Sequence, residues 1–222
     1  MRLKIQAKIM LGFFIAGILP ALILTSITYY ISISILKKQI SERLNDVADQ
    51  KIEAVKRFDI TARQSVVHIA GMPEVVETLK KARYFPPPAA NSKEYLGFAG
   101  KYDGIFRNYI GAHPCYDILL ISRNGMVVYS LMKENDLGKV PESMDGDYSL
   151  LASCIKKIKA TKMEASTNIG YYPPSKQFSL FYGAPILDNK KDLIGILVMQ
   201  YAGADFKALT RGRLKTFVHP IF

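Results

Sequence analysis

The chain opens with a charge-free apolar run that is long enough to cross a lipid bilayer. Residues 9–36 contain no Asp, Glu, Lys or Arg, and a helix needs roughly 20 apolar residues to span the hydrocarbon core. Arg2, Lys4 and Lys8 precede the run without an acidic residue, which by the positive-inside rule favours a cytoplasmic N-terminus. We therefore predict a cytoplasmic segment over residues 1–8, a transmembrane helix over 9–36, and the rest of the chain outside the membrane.

A cleaved signal peptide is the alternative interpretation of this run. Signal peptides usually have an apolar core of about 7–15 residues that ends at a small-x-small cleavage site. The run here is longer, and Leu24–Tyr30 offers no convincing site. An uncleaved anchor is the favoured interpretation.

The composition limits the kinds of partner expected for the residues predicted to lie outside the membrane. The 222 residues carry a net charge of +11, with Lys and Arg scattered along the chain and not gathered in one tract. On the outer side of a membrane, this pattern favours a solvated basic surface that attracts anionic ligands, and we expect no nucleic-acid partner. The two cysteines, Cys115 and Cys154, either form a disulfide, which an oxidising compartment permits, or are buried free thiols.

Residues 37–82 form a long amphipathic helix region. Apolar or small residues recur there in steps of three or four, at Ile40, Leu44, Ala48, Ile52, Val55, Phe58, Ala62, Val66 and Ile69. Such a stripe is either the seam of a homodimer or a face that packs on the chain's own sheet, since both require the same spacing.

The second half of the chain predicts an α+β fold with a five-stranded antiparallel sheet and flanking helices. Asn124-Gly125 favours a hairpin turn between two apolar runs, and Ser149 is placed to cap a helix over Leu150–Ala160. Pro173 and Pro174 indicate an irregular loop over Gly170–Lys176. The predicted strands are Tyr116–Ser122, Met126–Met132, Met163–Ile169, Gln177–Leu187 and Leu193–Tyr201, and further helices are predicted over Glu74–Ala82 and Lys93–Ile110.

Several segments resemble one family in order and spacing. They are Tyr116–Gly138, Thr167–Ser175 with its Y-x-P-S pattern, Ala184–Ile186 and Gly195–Gln200. They are similar to the first hairpin, a binding loop and the last two strands of the PAS-like Cache domains of bacterial methyl-accepting chemotaxis proteins. On this basis residues 83–209 are interpreted as the sensor core.

The resemblance implies an extracytoplasmic ligand-sensing domain in the bacterial inner membrane, periplasmic and dimerised through its N-terminal helices. It also implies a second membrane helix and a cytoplasmic output domain. Residues 210–222 match nothing in that plan, so we interpret them as an atypical tail and the chain as a receptor truncated by a frameshift or a fragmentary gene. The alternatives are a stand-alone anchored ligand-binding module and the input half of a histidine kinase or cyclic-dinucleotide enzyme.

A ligand pocket is expected between the sheet and its overlying loops. Such sites combine apolar walls with a few convergent polar groups. The predicted ligand-binding residues are Tyr129, Lys133, Asn168, Tyr172, Ser175 and Tyr182. For each tyrosine, core packing is the competing role, and Asn168, where many relatives carry an acid, leaves the charge preference open.

We expect no catalysis, no metal and no cofactor. The three histidines, His68, His113 and His219, are far apart in the sequence and have no triad or metal-ligand spacing. The chain has no tryptophan, whereas the amino-acid-binding subset of Cache domains uses a pattern with Trp, so no amino-acid ligand is predicted.

Overall fold

The computed structural model describes residues 5–82, 92–112, 114–144 and 146–210. Its helices are α1 (Ile5–Ala70), α2 (Pro73–Ala82), α3 (Lys93–Ala112), α4 (Ser149–Thr161) and α5 (Gly203–Thr210). Its strands are β1 (Asp117–Ser122), β2 (Val127–Ser130), β3 (Ala165–Ser166), β4 (Gly170–Tyr172), β5 (Gln177–Leu187) and β6 (Leu193–Ala202). Residues 83–91 of the predicted sensor core and 211–222 of the predicted tail lie outside the described residues.

The chain divides into two compact units, residues 1–52 and 53–222. The first unit consists of the N-terminal part of α1, which is long and apolar enough to cross a membrane, with a mean hydropathy of 2.2 in its best window. Pro20 lies inside this helix without ending it, as proline can in membrane helices.

The second unit is built on an antiparallel sheet. The strand order is β2-β1-β6-β5-β3, and β4 also pairs with β5. β3 and β4 follow one another along the same edge of β5, opposite Tyr182–Gly183 and Gln177–Ser179 respectively. The predicted α+β class and antiparallel sheet are confirmed. The sheet has six strands, one more than predicted, because β4 pairs with β5 along the same edge as β3.

The β1–β2 hairpin forms where Asn124-Gly125 predicts it. Gly125 has a φ of 93°, which a side chain would disfavour, and its N–H donates to the Ser122 carbonyl at 2.8 Å. The Ser122 hydroxyl donates to the Asn124 side chain. The turn is thus stabilised by the residues that mark it in the sequence.

Two local predictions are wrong. Gly170–Lys176 is not wholly irregular, because Gly170–Tyr172 forms β4 and the prolines are confined to a 3-10 turn over Pro173–Ser175, where the missing N–H groups remove no ladder bond. Ser149 does not cap α4: it is the first helical residue, and Tyr148 occupies the cap position without a side-chain hydrogen bond.

The amphipathic stripe of α1 has two environments. Ala62, Val66 and Ile69 are buried in one core with the sheet residues, and Phe58 packs against that core. Ile40 and Leu44 are exposed, as are Val47 and Ile52. Packing on the chain's own sheet therefore accounts for the C-terminal part of the stripe, and the homodimer seam stays a prediction for the N-terminal part.

Candidate ligand-binding site

Strand register sorts the side chains onto two faces of the sheet. Tyr182 of β5 lies opposite Met199 of β6, which lies opposite Ile118 of β1. The ring of Tyr182 contacts Phe58 of α1 with centroids 6.2 Å apart. We call this side, covered by α2, α3 and the C-terminal part of α1, the helix face.

The opposite side is the loop face, covered by α4 and by residues 131–144 and 146–148. Here Phe181, Gln200 and Asp117 lie opposite one another across β5, β6 and β1. Farther along the same face, a Cβ added to Gly183 would lie 2.6 Å from the Ile158 side chain of α4. Glycine at this position lets α4 approach the sheet closely.

Hydrogen bonds accepted by the Asp117 side chain hold the start of β1 next to the end of β2. Its Oδ1 accepts hydrogen bonds from the backbone N–H groups of Ile118 at 2.7 Å, Leu131 at 2.9 Å and Met132 at 3.0 Å. Its Oδ2 accepts from the Ser130 hydroxyl at 2.8 Å. Both carboxylate oxygens therefore have donors within the chain, and Asp117 shapes the site without being left open to a ligand.

A second polar group lies where β6 meets the turn after β4. Gln200 is fully buried, and its Nε2 donates to the hydroxyls of Ser175 and Ser179, each at 2.8 Å. Ser175 in turn donates to the Tyr172 carbonyl at 3.3 Å. These bonds hold the Pro173–Ser175 turn against the sheet.

Two further carboxylates come from the segment after β2. Asp136 Oδ2 accepts a hydrogen bond from the Tyr172 hydroxyl at 2.9 Å, and the Tyr172 ring packs edge-on against Phe181 at 4.9 Å. Glu134 Oε1 accepts from the Tyr116 hydroxyl at 2.7 Å. Tyrosine hydroxyls are thus the side-chain donors to both carboxylates in the described part of the chain.

Three acceptor oxygens in this region lack a hydrogen-bond donor among the described residues. They are Glu134 Oε2, Asp136 Oδ1 and Gln200 Oε1, and we call Glu134, Asp136 and Gln200 the acceptor cluster. The Tyr116 N–H donates to the backbone carbonyl of Gln200 at 2.7 Å, so Tyr116 connects Glu134 to Gln200. Ser175 and Tyr172 connect Gln200 to Asp136. Hydrogen-bonded residues therefore link the three, in part through the backbone carbonyls of Gln200 and Tyr172.

The electrostatics of the loop face disfavour further negative charge. Burial raises the pKa of Asp136, against hydrogen bonds from the Tyr172 hydroxyl and from the backbone N–H groups of Asp136 and Leu137. Burial also raises the pKa of Glu134, and the charge of Asp136 adds to that shift. Burial raises the pKa of Asp117 to about 7, although the Ser130 hydroxyl opposes the rise. In each case burial outweighs the hydrogen bonds that the ionised carboxyl group accepts.

The six predicted ligand-binding residues do not converge on one place. Tyr172 and Ser175 lie in the loop-face network described above. Asn168 is exposed between β3 and β4. Tyr129, Lys133 and Tyr182 make their polar contacts with helices that cover the helix face.

On the helix face these three side chains already have partners. Asp103 of α3 accepts from the Tyr129 hydroxyl at 2.8 Å and from Lys133 Nζ at 2.7 Å. Asp59 of α1 accepts from the Tyr182 hydroxyl at 2.8 Å. The core-packing role weighed for Tyr129 and Tyr182 is consistent with these contacts, because both rings are buried.

Asp117, Asp136 and Gln200 are site residues that sequence reasoning missed. Asp117 and Gln200 are single polar residues inside apolar strand runs, at the edge of Tyr116–Ser122 and near the end of Leu193–Tyr201. A polar residue in a buried central strand is costly unless it is hydrogen-bonded. That cost is a signal by which both could have been found.

The two cysteines are free and buried, so the disulfide alternative does not apply. Cys115 Sγ donates to the carbonyls of Asp117 at 3.0 Å and Gln200 at 3.4 Å. Burial raises the pKa of Cys115 well above its usual value and that of Cys154 to about 12. Both side chains behave as small core residues and not as reactive thiols.

Comparison with known proteins gives structural likenesses only. No family model matches the chain, and neither does any curated protein sequence. The ligand-binding domain of the Campylobacter jejuni chemoreceptor Tlp3 in complex with 4-methylisoleucine is similar at 14% identity and a TM-score of 0.47, covering 74% of this chain and 59% of that one. The Escherichia coli DcuS sensor domain has 14% identity and a TM-score of 0.48, covering 72% of this chain and 98% of that one.

A third similar structure is the ligand-binding domain of the Pseudomonas aeruginosa PAO1 amino acid chemoreceptor PctC in complex with GABA. It has 8% identity and a TM-score of 0.46, covering 76% of this chain and 66% of that one. The chain thus spans 59% of the Tlp3 domain's length. At such identities and TM-scores these likenesses say nothing about what this chain binds.

Proposed function

We propose that the chain is the ligand-sensing part of a membrane-anchored receptor of the chemotaxis type. The observation that carries this proposal is the loop-face network, which leaves three acceptor oxygens without a donor among the described residues. Buried polar atoms are nearly always hydrogen-bonded in proteins. A small molecule that supplies the missing donors is the simplest role for such a network, and we propose recognition and not catalysis.

A route for the signal begins on the other side of the sheet. Tyr182 of β5 donates to Asp59, and Arg63 one turn later donates to Asp59 at 2.9 Å and to Ser166 of β3 at 2.7 Å. The ring of Phe58 contacts Tyr201 of β6 with centroids 5.2 Å apart. A ligand that shifts β5 or β6 would thereby move α1, a two-state coupling of the kind that receptors use.

The proposal includes the location and the assembly of the receptor. The apolar N-terminal part of α1 anchors the chain in the bacterial inner membrane, with residues 53–210 in the periplasm. Ile40, Leu44 and Ile52, which are 49%, 65% and 53% exposed, form a homodimer seam. Together with Ala48 they recur every four residues, a spacing that suits helix pairing.

Single cysteines test location and assembly together, in a background where Cys115 and Cys154 are replaced by Ala. In intact spheroplasts, Asp147→Cys should react with a membrane-impermeant maleimide. Under mild oxidation, Ile40→Cys and Leu44→Cys should form crosslinked dimers, whereas Glu42→Cys and Asp46→Cys on the charged side should crosslink far less.

Labelling of Asp147→Cys only after lysis would contradict the periplasmic location. Equal crosslinking at all four helix positions would reflect random collision, and its absence at every position would contradict the seam. A ligand that changes the crosslinking rate at Leu44→Cys would support the coupling of the site to α1.

A further inference from the structure

We propose that Asp136 is a proton switch, in which a bound proton completes hydrogen bonds of the acceptor cluster from within the chain and its release leaves the cluster to another donor. This inference concerns the regulation of the sensing site and rests on the proposed function for that role. It starts from two oxygens without a donor among the described residues, Asp136 Oδ1 and Gln200 Oε1. A carboxylate only accepts hydrogen bonds, whereas a protonated carboxyl group also donates one.

The burial of these two oxygens makes the missing donor costly. Asp136 and Gln200 are both 0% exposed, and a buried acceptor without a donor forfeits the hydration that it had in the unfolded chain. The Tyr172 hydroxyl donates to Asp136 Oδ2 at 2.9 Å, which leaves Oδ1 as the oxygen for the proton. Gln200 Oε1 belongs to a neutral amide and only accepts, so it is the acceptor for that proton.

The proton closes a ring of hydrogen bonds around the turn after β4. Asp136 is bonded to the side chain of Tyr172, whose carbonyl accepts from Ser175 at 3.3 Å. The Ser175 hydroxyl accepts from Gln200 Nε2 at 2.8 Å. A bond from protonated Asp136 to Gln200 Oε1 is the link that this ring lacks. The protonated state therefore holds residues 134–136 against the turn, and the ionised state releases them.

The groups around Asp136 favour its neutral form. In the described part of the chain, only neutral groups donate to its ionised form, namely the Tyr172 hydroxyl and the backbone N–H groups of Asp136 and Leu137. Two further carboxyl groups face it, Asp117 from β1 and Glu134 from its own segment. Burial raises the pKa of both, and the charge of Asp136 raises each pKa further. A proton on Asp136 therefore relieves repulsion at all three groups.

The basic side chains of the covering elements bond elsewhere or lie in solvent. They are Lys133, paired with Asp103; Lys159, paired with Glu142; Lys157, bonded to the Ser166 carbonyl; and the exposed Lys139, Lys156 and Lys162. Before α4, Tyr148 stays neutral, because burial and then the charge of Asp136 raise its pKa, and Asp147 is exposed. Among the described residues, no cation takes the place of the proton at Asp136.

Infrared difference spectra of the full chain in an ester-free detergent measure the proton directly. The carbonyl stretch of a protonated carboxyl group disappears on ionisation, and exposed carboxyl groups, which titrate at about pH 4, are ionised by about pH 5. From about pH 5 to about pH 8 the parent chain should lose part of this band, and Asp136→Asn should lose less of it. The control Asp147→Asn, at an exposed position, should lose as much as the parent. Asp205, whose pKa burial also raises, contributes equally to every spectrum.

Two substitutions should move the proton affinity in opposite directions. Tyr172→Phe removes a donor to the ionised carboxylate, so the proton should bind roughly 3- to 10-fold more tightly. Gln200→Met removes the acceptor of the protonated form, so the proton should bind roughly 3- to 10-fold more weakly. A general disturbance of packing would not give opposite signs. Retained thermal unfolding transitions show that each variant is folded.

A nitroxide at Asn135→Cys reports the motion of the segment that carries Asp136, in a background where Cys115 and Cys154 are replaced by Ala. Asn135 is exposed, so the label does not enter the core. Its spectrum should show greater mobility at about pH 8 than at about pH 5. Asp136→Asn should keep the less mobile spectrum at both pH values, because the asparagine amide donates a hydrogen bond without ionising. A label at Asn189→Cys, exposed in the turn between β5 and β6, should not respond.

These measurements can overturn the switch and leave the sensing function standing. Equal loss of the carboxyl band in Asp136→Asn and the parent places the proton elsewhere. Shifts of the same sign in Tyr172→Phe and Gln200→Met contradict the hydrogen bond to Gln200. A response of the label at position 135 that persists in Asp136→Asn, or no response at all, also overturns the switch. The proposed function fails by a different result, namely labelling of Asp147→Cys only after lysis together with no crosslinking at any helix position.

Discussion

Both faces of the sheet bury tyrosines against carboxyl groups, yet the faces differ in how those carboxyl groups are neutralised. On the helix face, Asp59 pairs with Arg63 and Asp103 pairs with Lys133. On the loop face, Asp136 receives a tyrosine hydroxyl and keeps one oxygen without a donor among the described residues. The first arrangement is complete within the chain, whereas under the proposed function a ligand would supply the donor that the second lacks.

The pKa directions express the same difference. Burial works against the ionised form of Asp59, but the hydrogen bonds from Arg63 and Tyr182 outweigh it and lower the pKa of Asp59. Burial prevails at Asp136 and raises its pKa. The helix face therefore favours ionised groups that join helices to the sheet, whereas the loop face holds carboxyl groups that favour a proton or a cation. Under the proposed function, the helix face contributes stability and the loop face contributes recognition.

Removal of a buried ring from the helix face should give the largest effect. Phe106 of α3 is 0% exposed and packs on Tyr129 at a centroid distance of 4.9 Å. Phe106→Ala should lower the free energy of unfolding by about 3–5 kcal/mol, because it loses burial and leaves a cavity. Urea unfolding of the chain in detergent measures this loss.

The matched control is Phe178→Ala, since Phe178 is 60% exposed. Its cost should stay below about 1 kcal/mol, as is usual for surface positions. Equal costs for the two phenylalanines would show that α3 does not depend on its contact with the sheet. The assignment of stability to the helix face would then fail.

The ion pair between α3 and the segment after β2 should give the next effect. Asp103→Ala removes the acceptor shared by Lys133 Nζ and the Tyr129 hydroxyl, and it should destabilise by about 1–3 kcal/mol because a half-buried ammonium loses its partner. Ligand affinity should not change, since this contact lies on the face opposite the acceptor cluster.

A double variant tests whether the loss of stability comes from the interaction between Asp103 and Lys133. Lys133→Met in the Asp103→Ala background removes the orphaned charge and should restore part of the lost stability. An additive further loss would mean that the two residues do not interact. A change in affinity of more than about 2-fold in Asp103→Ala would contradict the separation of the two faces.

The contrast between the faces also explains which structural features could be predicted from the sequence. The alternation in Gln177–Leu187 predicts a strand with those bounds, and β5 has them. The same alternation places Tyr182 with Leu180 and Ala184 on one face but does not say which helices cover that face. Only the packing of α1 shows that Tyr182 contacts Asp59 and lies away from the loops.

Site residues were predictable where a local pattern marks them. The loop with Pro173 and Pro174 directed attention to Tyr172 and Ser175, and both lie in the loop-face network. Asp136 carries no comparable signal, because a single acid in a polar loop is usually solvated. Its burial depends on a contact with a tyrosine 36 positions away, which no local pattern encodes.

The smallest effect is a dependence of stability on pH that differs between the faces. Asp117 has a pKa of about 7 in the folded chain, and the pKa values of Asp136 and Glu134 are also raised. An unfolded carboxyl group titrates near pH 4. Between these limits the folded chain binds more protons than the unfolded chain, so the free energy of unfolding should rise as the pH falls from about 8 to about 5.

The lowered pKa of Asp59 has the opposite sign. Its contribution is present above the unfolded pKa near 4 and is lost as the pH falls further through its folded pKa. Stability should therefore pass through a maximum on the acid side of neutrality. The free energy of unfolding should therefore be higher at pH 5 than at pH 8, because the loop-face carboxyl groups have raised pKa values in the folded chain.

Two variants test which carboxyl groups cause the rise of stability from pH 8 to pH 5 and its loss below pH 4. The measurement is the urea midpoint of each variant from pH 3 to pH 8. Asp136→Asn should reduce the slope between pH 5 and pH 8 without abolishing it, because it removes one of three carboxyl groups whose protonation favours the folded state. Asp59→Asn should leave that slope unchanged and reduce the loss of stability below pH 4. If one variant changed the pH dependence of stability both above pH 5 and below pH 4, the carboxyl groups of the two faces would titrate together. A change of charge at the loop face would then alter the contacts of α1 with the sheet.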